Sequence, residues 1–279
     1  MKKTIELLEK AKQFFEDENF IIEEDKLKAI LTAIDERKNI FAVGPTGSGK
    51  TDFFMKLSKF LGGEYFYQSL NGSVTIHDLT QERILAENGA FIANDMILAN
   101  WLRASEKGIS LLQLDEVNAA KAETLLALHP VMDIKGELDL VYTDEKLKVN
   151  DNCVLVMACN EGDEYYGTNE MNVAFINRTG IKVHFNYLQG EALIDMLVEK
   201  TGVNGEQVGQ VVNTWEKYMS SRDPEQPVIS IRVLENWLMM SKTLGLKMAG
   251  KFTFAGIIAT NEDELNEILE GSFFVHLTD

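Results

Sequence analysis

The stretch Gly44, Pro45, Thr46, Gly47, Ser48, Gly49, Lys50, Thr51 has glycine, four residues, glycine, lysine and threonine in the spacing of a loop that wraps phosphates. Glycines let such a backbone curl so that successive N–H groups converge on an anion, with no Cβ in the way. Lys50 would reach the outer phosphates of a nucleotide, and Thr51 would hold a magnesium ion. A flexible glycine turn has the same composition, so the flanks decide. Residues 39–43 read as a short buried strand and residues 51–61 as a helix whose N-terminus faces the anion. Strand, loop and helix together predict a nucleotide site.

A phosphate loop needs carboxylates. The apolar strand at residues 110–114 ends at Asp115 and Glu116. That arrangement places one carboxylate in the magnesium shell, holding a metal-bound water, and the next beside the γ-phosphate. Asp115 takes the first role and Glu116 the second, as the general base that polarises the attacking water. Acidic residues are also favoured at a helix start by the helix dipole. The phosphate loop upstream selects the catalytic reading. His77, His129, His184 and His276 are scattered without the neighbours of a zinc site, and Cys153 and Cys159 read as buried reduced thiols in or beside an apolar run.

The elements that must position these groups alternate. Residues 2–18 form an amphipathic helix whose face is not fixed by Ile5, Leu8, Lys12 and Phe15. Leu27, Ile30, Leu31 and Ile34 then follow the spacing of a helix with one buried stripe. Strands are expected at residues 64–68, 110–114, 153–158 and 181–185, and helices at 96–105 and 118–128, the latter stopping near His129 and Pro130. Residues 81–94, with the turn signal Asn88-Gly89, suggest a hairpin or, alternatively, a bent helix. Residues 138–149 suggest a second hairpin, and residues 172–178 lead into the strand at 181. Beyond the boundary near residues 187–190 the pattern is helical, at 191–200, 205–220 and 231–244, with Pro224 and Pro227 in the loop between the last two and a stripe of Val208, Val211, Val212 and Trp215. The expected organisation is an N-terminal helical extension (1–19), an α/β nucleotide-binding subdomain (20–188) and a smaller all-helical lid subdomain (189–279).

The length of 279 residues suits two domains at ~150 residues each. A formal charge of -17 opposes general adhesion to nucleic acid or anionic membrane, although it leaves room for a local basic groove. There is no long apolar run and no signal-like start, so the expected setting is soluble and cytoplasmic.

Taken together, these motifs resemble the AAA+ ATPases, and among them the MoxR-like branch of CbbQ/NorQ type. The resemblance runs from about Phe20 to Leu244. It rests on residues 44–51, on residues 111–118, on the run from Thr124 to Asp133, and on Met157, Ala158, Cys159 and Asn160. It implies a P-loop α/β fold with a central parallel sheet flanked by helices, followed by a helical lid. By position Asn160 matches the sensor 1 residue that helps orient the lytic water. Arg178 matches the arginine finger that enters a neighbouring subunit's site. Arg232 resembles the sensor 2 arginine, which would touch the γ-phosphate. Thr179 stands where the family usually has an aromatic residue, and Gln113 stands in a strand usually wholly apolar.

The resemblance further implies ATP and magnesium as cofactors, assembly into a homo-oligomeric ring of six, and two hairpins lining a pore. It also implies a protein client, with a von Willebrand type A domain protein as partner in that branch. Two other functions fit the same motifs. One is a DNA-handling motor, hinted at by Lys135, Lys146 and Lys148; the other is a nucleotide-gated scaffold with little turnover. Arg103 reads either as a group approaching a neighbour's nucleotide or as a solvated helix charge.

Overall fold

The computed structural model describes the chain except residues 1, 87–88, 134–135, 161–172, 224, 272 and 279, and except the side chains of residues 2–5, 173 and 174. Asn88 of the expected turn, Lys135, Asn172 and Pro224 therefore lie outside the described residues, as does the side chain of Ile5.

The chain divides into two compact units. One runs to Gly44, resumes at Gly49 and ends at Phe185; the other holds Pro45–Ser48 and the chain from Asn186 onward. In the first unit nine strands are described: β1 (Ile40–Val43), β2 (Glu64–Ser69), β3 (Gln81–Leu85), β4 (Phe91–Asp95), β5 (Ser110–Asp115), β6 (Glu137–Leu140), β7 (Glu145–Lys148), β8 (Cys153–Cys159) and β9 (Ile181–His184). Five of them form one parallel sheet in the order β2-β5-β8-β1-β9. Parallel neighbours need crossover connections, and helices supply them on both faces.

Strand alternation divides the core. Ile40, Ala42, Leu111, Val154, Val156 and Ala158 face a layer made by the helices Lys2–Asp17, Glu24–Asp35 and Lys50–Phe60. Phe41, Val43, Leu112, Leu114, Leu155 and Met157 face the helix Ile97–Ser105, through Leu98, Trp101 and Leu102. The N-terminal helix uses Leu8, Ala11 and Phe15, at the i, i+3, i+7 spacing, while Lys12 reaches out to Glu24 at 2.8 Å. Phe15 stacks on Phe53 with ring centroids 5.0 Å apart, which ties this helix to the one after the phosphate loop.

Both expected hairpins form. β3 and β4 pair antiparallel from Gln81↔Asp95 to Leu85↔Phe91, which excludes the bent helix, and β6 pairs with β7. Arg103 lies in the last turn of the helix Ile97–Ser105 with its side chain partly exposed. It bridges Asp95 at the end of β4 and Glu145 in β7, at 2.5 Å each, and Gln81 joins the same network by donating to Asp95 at 2.8 Å. The single helix expected over 118–128 is three short pieces: a tight turn at Val117–Ala119, a helix at Ala122–Ala127 and a turn at His129–Met132. Ala120 is extended and breaks the run, and Pro130 opens the last turn rather than stopping the helix. Proline suits that position because a first helical turn has no use for its missing N–H.

The second unit is helical: Gly190–Thr201, Gly205–Ser221, Ile231–Leu244, Leu246–Gly250, a π-helical turn at Lys251–Ala255, Gly256–Ile258 and Glu262–Glu270. Val208, Val211, Val212 and Trp215 are buried in its core with Leu193, Leu234 and Trp237. The two tryptophans also hold their polar edges, since Trp215 Nε1 donates to the Ile229 carbonyl at 2.7 Å and Trp237 Nε1 to that of Leu246 at 2.8 Å. No helix among the described residues is long and apolar enough to cross a membrane.

Candidate functional site

β1 lies inside the sheet between β8 and β9, so its C-terminal end delivers the chain to Gly44 at a fixed place. A Cβ on Gly44 would stand 2.0 Å from the Phe185 carbonyl oxygen, so only glycine fits. Gly47 and Gly49 have φ of 82° and 84°, the left-handed region that side chains disfavour. The helix Lys50–Phe60 starts at once, with its positive dipole end at the loop.

Lys50 is 5% exposed, and its ammonium donates to the Gly44 carbonyl at 2.7 Å and to Asn160 Oδ1 at 3.1 Å. Buried charge is costly unless bonded, and these are the bonds a phosphate oxygen would replace. Ser48 Oγ is buried without a hydrogen-bond partner among the described residues. An orphaned hydroxyl in a cradle of left-handed glycines fits a ligand rich in acceptor oxygens.

The carboxylates arrive from β5, which pairs with β2 on one side and β8 on the other. Thr51 Oγ1 lies 3.5 Å from Asp115 Oδ2, and the Tyr67 hydroxyl donates to the same oxygen at 3.2 Å. A hydroxyl and a carboxylate oxygen side by side are suitable donors for a hard, oxygen-seeking cation such as magnesium. Glu116 follows with φ 54°, an uncommon backbone for a glutamate; its N–H donates to Asp115 Oδ1 at 2.9 Å and its Oε2 accepts from Ser69 Oγ at 2.7 Å. Asn118 donates from Nδ2 to the Asn160 carbonyl at 3.2 Å, bracing the chain just past β8.

Lys50, Thr51, Asp115, Glu116 and Asn160 are thus gathered in the first unit. Arg178 pairs with Asp133 at 3.4 Å, and its carbonyl accepts from Asn39 Nδ2 at 2.9 Å. His129 is nearby: burial, then the Arg178 charge, hold its imidazole below the ordinary value. Arg232 is exposed near the start of the helix Ile231–Leu244 in the second unit. There a Cβ on Gly47 would meet Ser230 Cβ at 3.5 Å and Arg232 Cγ at 3.9 Å.

Sequence reasoning did not find Ser69, Tyr67 or Tyr65, and it gave Asn118 no role of its own. Ser69 sits opposite Asp115 in the β2–β5 register. Strand parity would have nominated it only once that register was known.

Residues 39–179 match the model of the AAA domain, dynein-related subfamily. An uncharacterized protein of Staphylococcus aureus strain USA300 is 31% identical over 82% of this chain and 87% of its own length. Another, from the bovine strain RF122, is 29% identical over the same shares. Among solved structures, a candidate ATPase of Cytophaga hutchinsonii superposes over 96% of this chain and 86% of its own with a TM-score of 0.54, at 18% identity, a likeness of fold. The strand order, the phosphate loop after β1 and the family match over half the chain agree: the protein belongs to the AAA domain family, dynein-related subfamily, and is a nucleotide-binding ATPase.

Proposed function

We propose that this ATPase hydrolyses ATP with magnesium as a ring-forming member of the MoxR-like branch, of CbbQ/NorQ type, and uses the energy to remodel or activate a protein partner. The observation that carries the chemistry is the gathering of Lys50, Thr51, Asp115, Glu116 and Asn160 around one loop. The backbone of Gly44, Pro45, Thr46, Gly47, Ser48 and Gly49 cradles the phosphates. Lys50 exchanges its bonds to Gly44 and Asn160 for phosphate oxygens. Thr51 and Asp115 hold magnesium, which when bound neutralises charge on the phosphates. Glu116 takes the proton of the attacking water, and Asn160 orients that water.

Arg178, by the resemblance, completes a neighbouring subunit's site in a homo-oligomeric ring of six, and Arg232 contacts the γ-phosphate. A protein client is supported by the hairpins. Leu85, Phe91 and Val141 are 65%, 62% and 75% exposed, whereas Lys146 and Lys148 face Asp139 and Glu137 across 3.0 and 3.8 Å. Apolar tips with neutralised lysines suit polypeptide better than a phosphate backbone. By the same resemblance the partner is a von Willebrand type A domain protein; the setting we propose is cytoplasmic.

Phosphate release tests the reading. Wild type should turn over ATP in magnesium, and Glu116→Gln should bind ATP while losing turnover on the order of 10²-fold or more. Absence of turnover in assembled wild type would favour the scaffold, and binding to DNA that weakens steeply with salt would favour the motor. The Glu116→Gln ring in ATP is also the bait for the client.

A further inference from the structure

Gln113 is fully buried in the middle of β5, among Leu111, Leu112 and Leu114. A buried primary amide is expensive in an apolar strand unless both of its ends are bonded. Both are. Its Oε1 accepts from the Tyr65 hydroxyl at 2.8 Å, and its Nε2 donates to Thr51 Oγ1 at 3.4 Å, the long end of hydrogen bonding. Burial pushes the Tyr65 phenol up, so it stays a donor throughout the neutral range. Strand parity explains the reach, because Gln113 lies on the same face of β5 as Leu111, which packs in the layer that holds the helix Lys50–Phe60.

The consequence lies in the lone pairs of Thr51. A threonine hydroxyl has one hydrogen to give and two lone pairs to share. With its oxygen 3.5 Å from Asp115 Oδ2, the hydrogen is directed to that carboxylate. The Gln113 amide occupies one lone pair, and one lone pair is left for a cation. Without Gln113 the hydroxyl can rotate, and its acceptor side is no longer fixed.

We propose that Gln113, held by Tyr65, is a positioning residue that sets the Thr51 hydroxyl to accept a divalent cation alongside Asp115. This rests on the magnesium role proposed above for Thr51 and Asp115. Partners that orient a metal ligand typically govern affinity for the metal by about 10–100-fold, and one long neutral hydrogen bond belongs at the lower end.

The test uses the full-length protein and a non-hydrolysable ATP analogue, with its dissociation constant measured in EDTA and across a magnesium titration. Manganese binding followed by electron paramagnetic resonance gives a readout independent of turnover. Gln113→Met, which keeps the length and removes both polar ends, should match wild type in EDTA within about twofold while needing about tenfold more cation for the same enhancement. Tyr65→Phe should move the cation requirement in the same direction by less. It also carries the test alone if urea unfolding shows that Gln113→Met does not fold. Unchanged cation dependence in the folded variants overturns the inference, as does an equal loss with and without the cation, which would mark a purely structural amide. If wild type itself shows no magnesium or manganese dependence, the magnesium reading of Thr51 and Asp115 fails first. The two failures are therefore distinguishable.

Discussion

Glu116 can act as a base only if its carboxylate is free to take a proton from water, yet in this structure Oε2 is engaged by Ser69 Oγ at 2.7 Å. The backbone at Glu116 is left-handed, with φ 54° and ψ 37°, and its N–H is bonded back to Asp115. Such a conformation costs a non-glycine residue about 1–2 kcal/mol, so the surroundings must hold it. The Ser69 bond therefore restrains the base, and Ser69→Ala should release it. Hydrogen bonds to charged groups contribute about 1.5–3 kcal/mol when shielded. Glu116 is exposed, water can replace the hydroxyl, and the contribution falls to about 1 kcal/mol. Removing a ground-state restraint of that size raises turnover by about fivefold, since 1.36 kcal/mol is a tenfold change in rate. The assay is phosphate release at saturating ATP and magnesium, with ATP affinity measured in parallel and Ser69→Thr, which keeps the hydroxyl, as the control. A fall in turnover at unchanged affinity would refute the reasoning, for it would mean that Ser69 holds Glu116 in the productive pose. No change would show that the bond is too weak to matter.

Three other outcomes follow from the same structure. Arg178→Ala should retain ATP binding and lose turnover on the order of 10³-fold, and mixing it with Lys50→Ala subunits should restore part of the activity; mixed rings that stay silent would count against action across an interface. Phe15→Ala removes a ring that is 1% exposed and stacked on Phe53, and should cost about 3 kcal/mol in urea unfolding; a change under about 1 kcal/mol would show that the N-terminal helix docks only loosely. Burial works to raise the Asp95 carboxyl, but hydrogen bonds from Gln81 and Arg103 outweigh it and hold the group below its ordinary value of 3.8. A depressed folded value gives stability that is present above 3.8 and lost as pH falls through the folded value. The stability gap between wild type and Asp95→Asn should accordingly be constant from pH 7 to about 5 and shrink below about 3.8, measured by urea midpoints at each pH.

The strands that carry the site were legible because buried parallel strands read as unbroken apolar runs. Residues 110–114 and 153–158 stand out on composition alone, and each ends at the polar residues that matter, Asp115 and Asn160. The N-terminal helix was harder because Lys12 sits beside its stripe; the structure buries Ala11 instead and turns the lysine toward Glu24. The helix expected over 118–128 is broken where Ala120 and Lys121 turn extended, with no glycine or proline to mark the place. Thr124 is buried and donates to the Val74 carbonyl at 2.9 Å, a bond to a distant segment that no local periodicity encodes. Past residue 244 the signal faded. The helix Glu262–Glu270 has no buried residue, and Phe254 and Phe274 find their places by packing on Trp237 and, for Phe254, on Tyr218.

The candidate site divides along the same line. Gly44–Thr51, Asp115 and Glu116 are legible because each set is contiguous and its spacing is itself the chemistry. The groups that orient them arrive from a neighbouring strand. Tyr65, Tyr67 and Ser69 alternate along β2 opposite Leu111, Gln113 and Asp115. Through them the Tyr65 hydroxyl reaches Gln113, that of Tyr67 reaches Asp115, and that of Ser69 reaches Glu116. A slip of one residue in that pairing would turn all three to the other face and present Phe66 and Gln68 in their place. The hydroxyl set along β2 is thus a property of register, fixed by the packing of the whole sheet. It follows that a change which shifts β2 without touching any site residue should loosen Gln113, Asp115 and Glu116 together, whereas substitution of one hydroxyl should act only through its own partner.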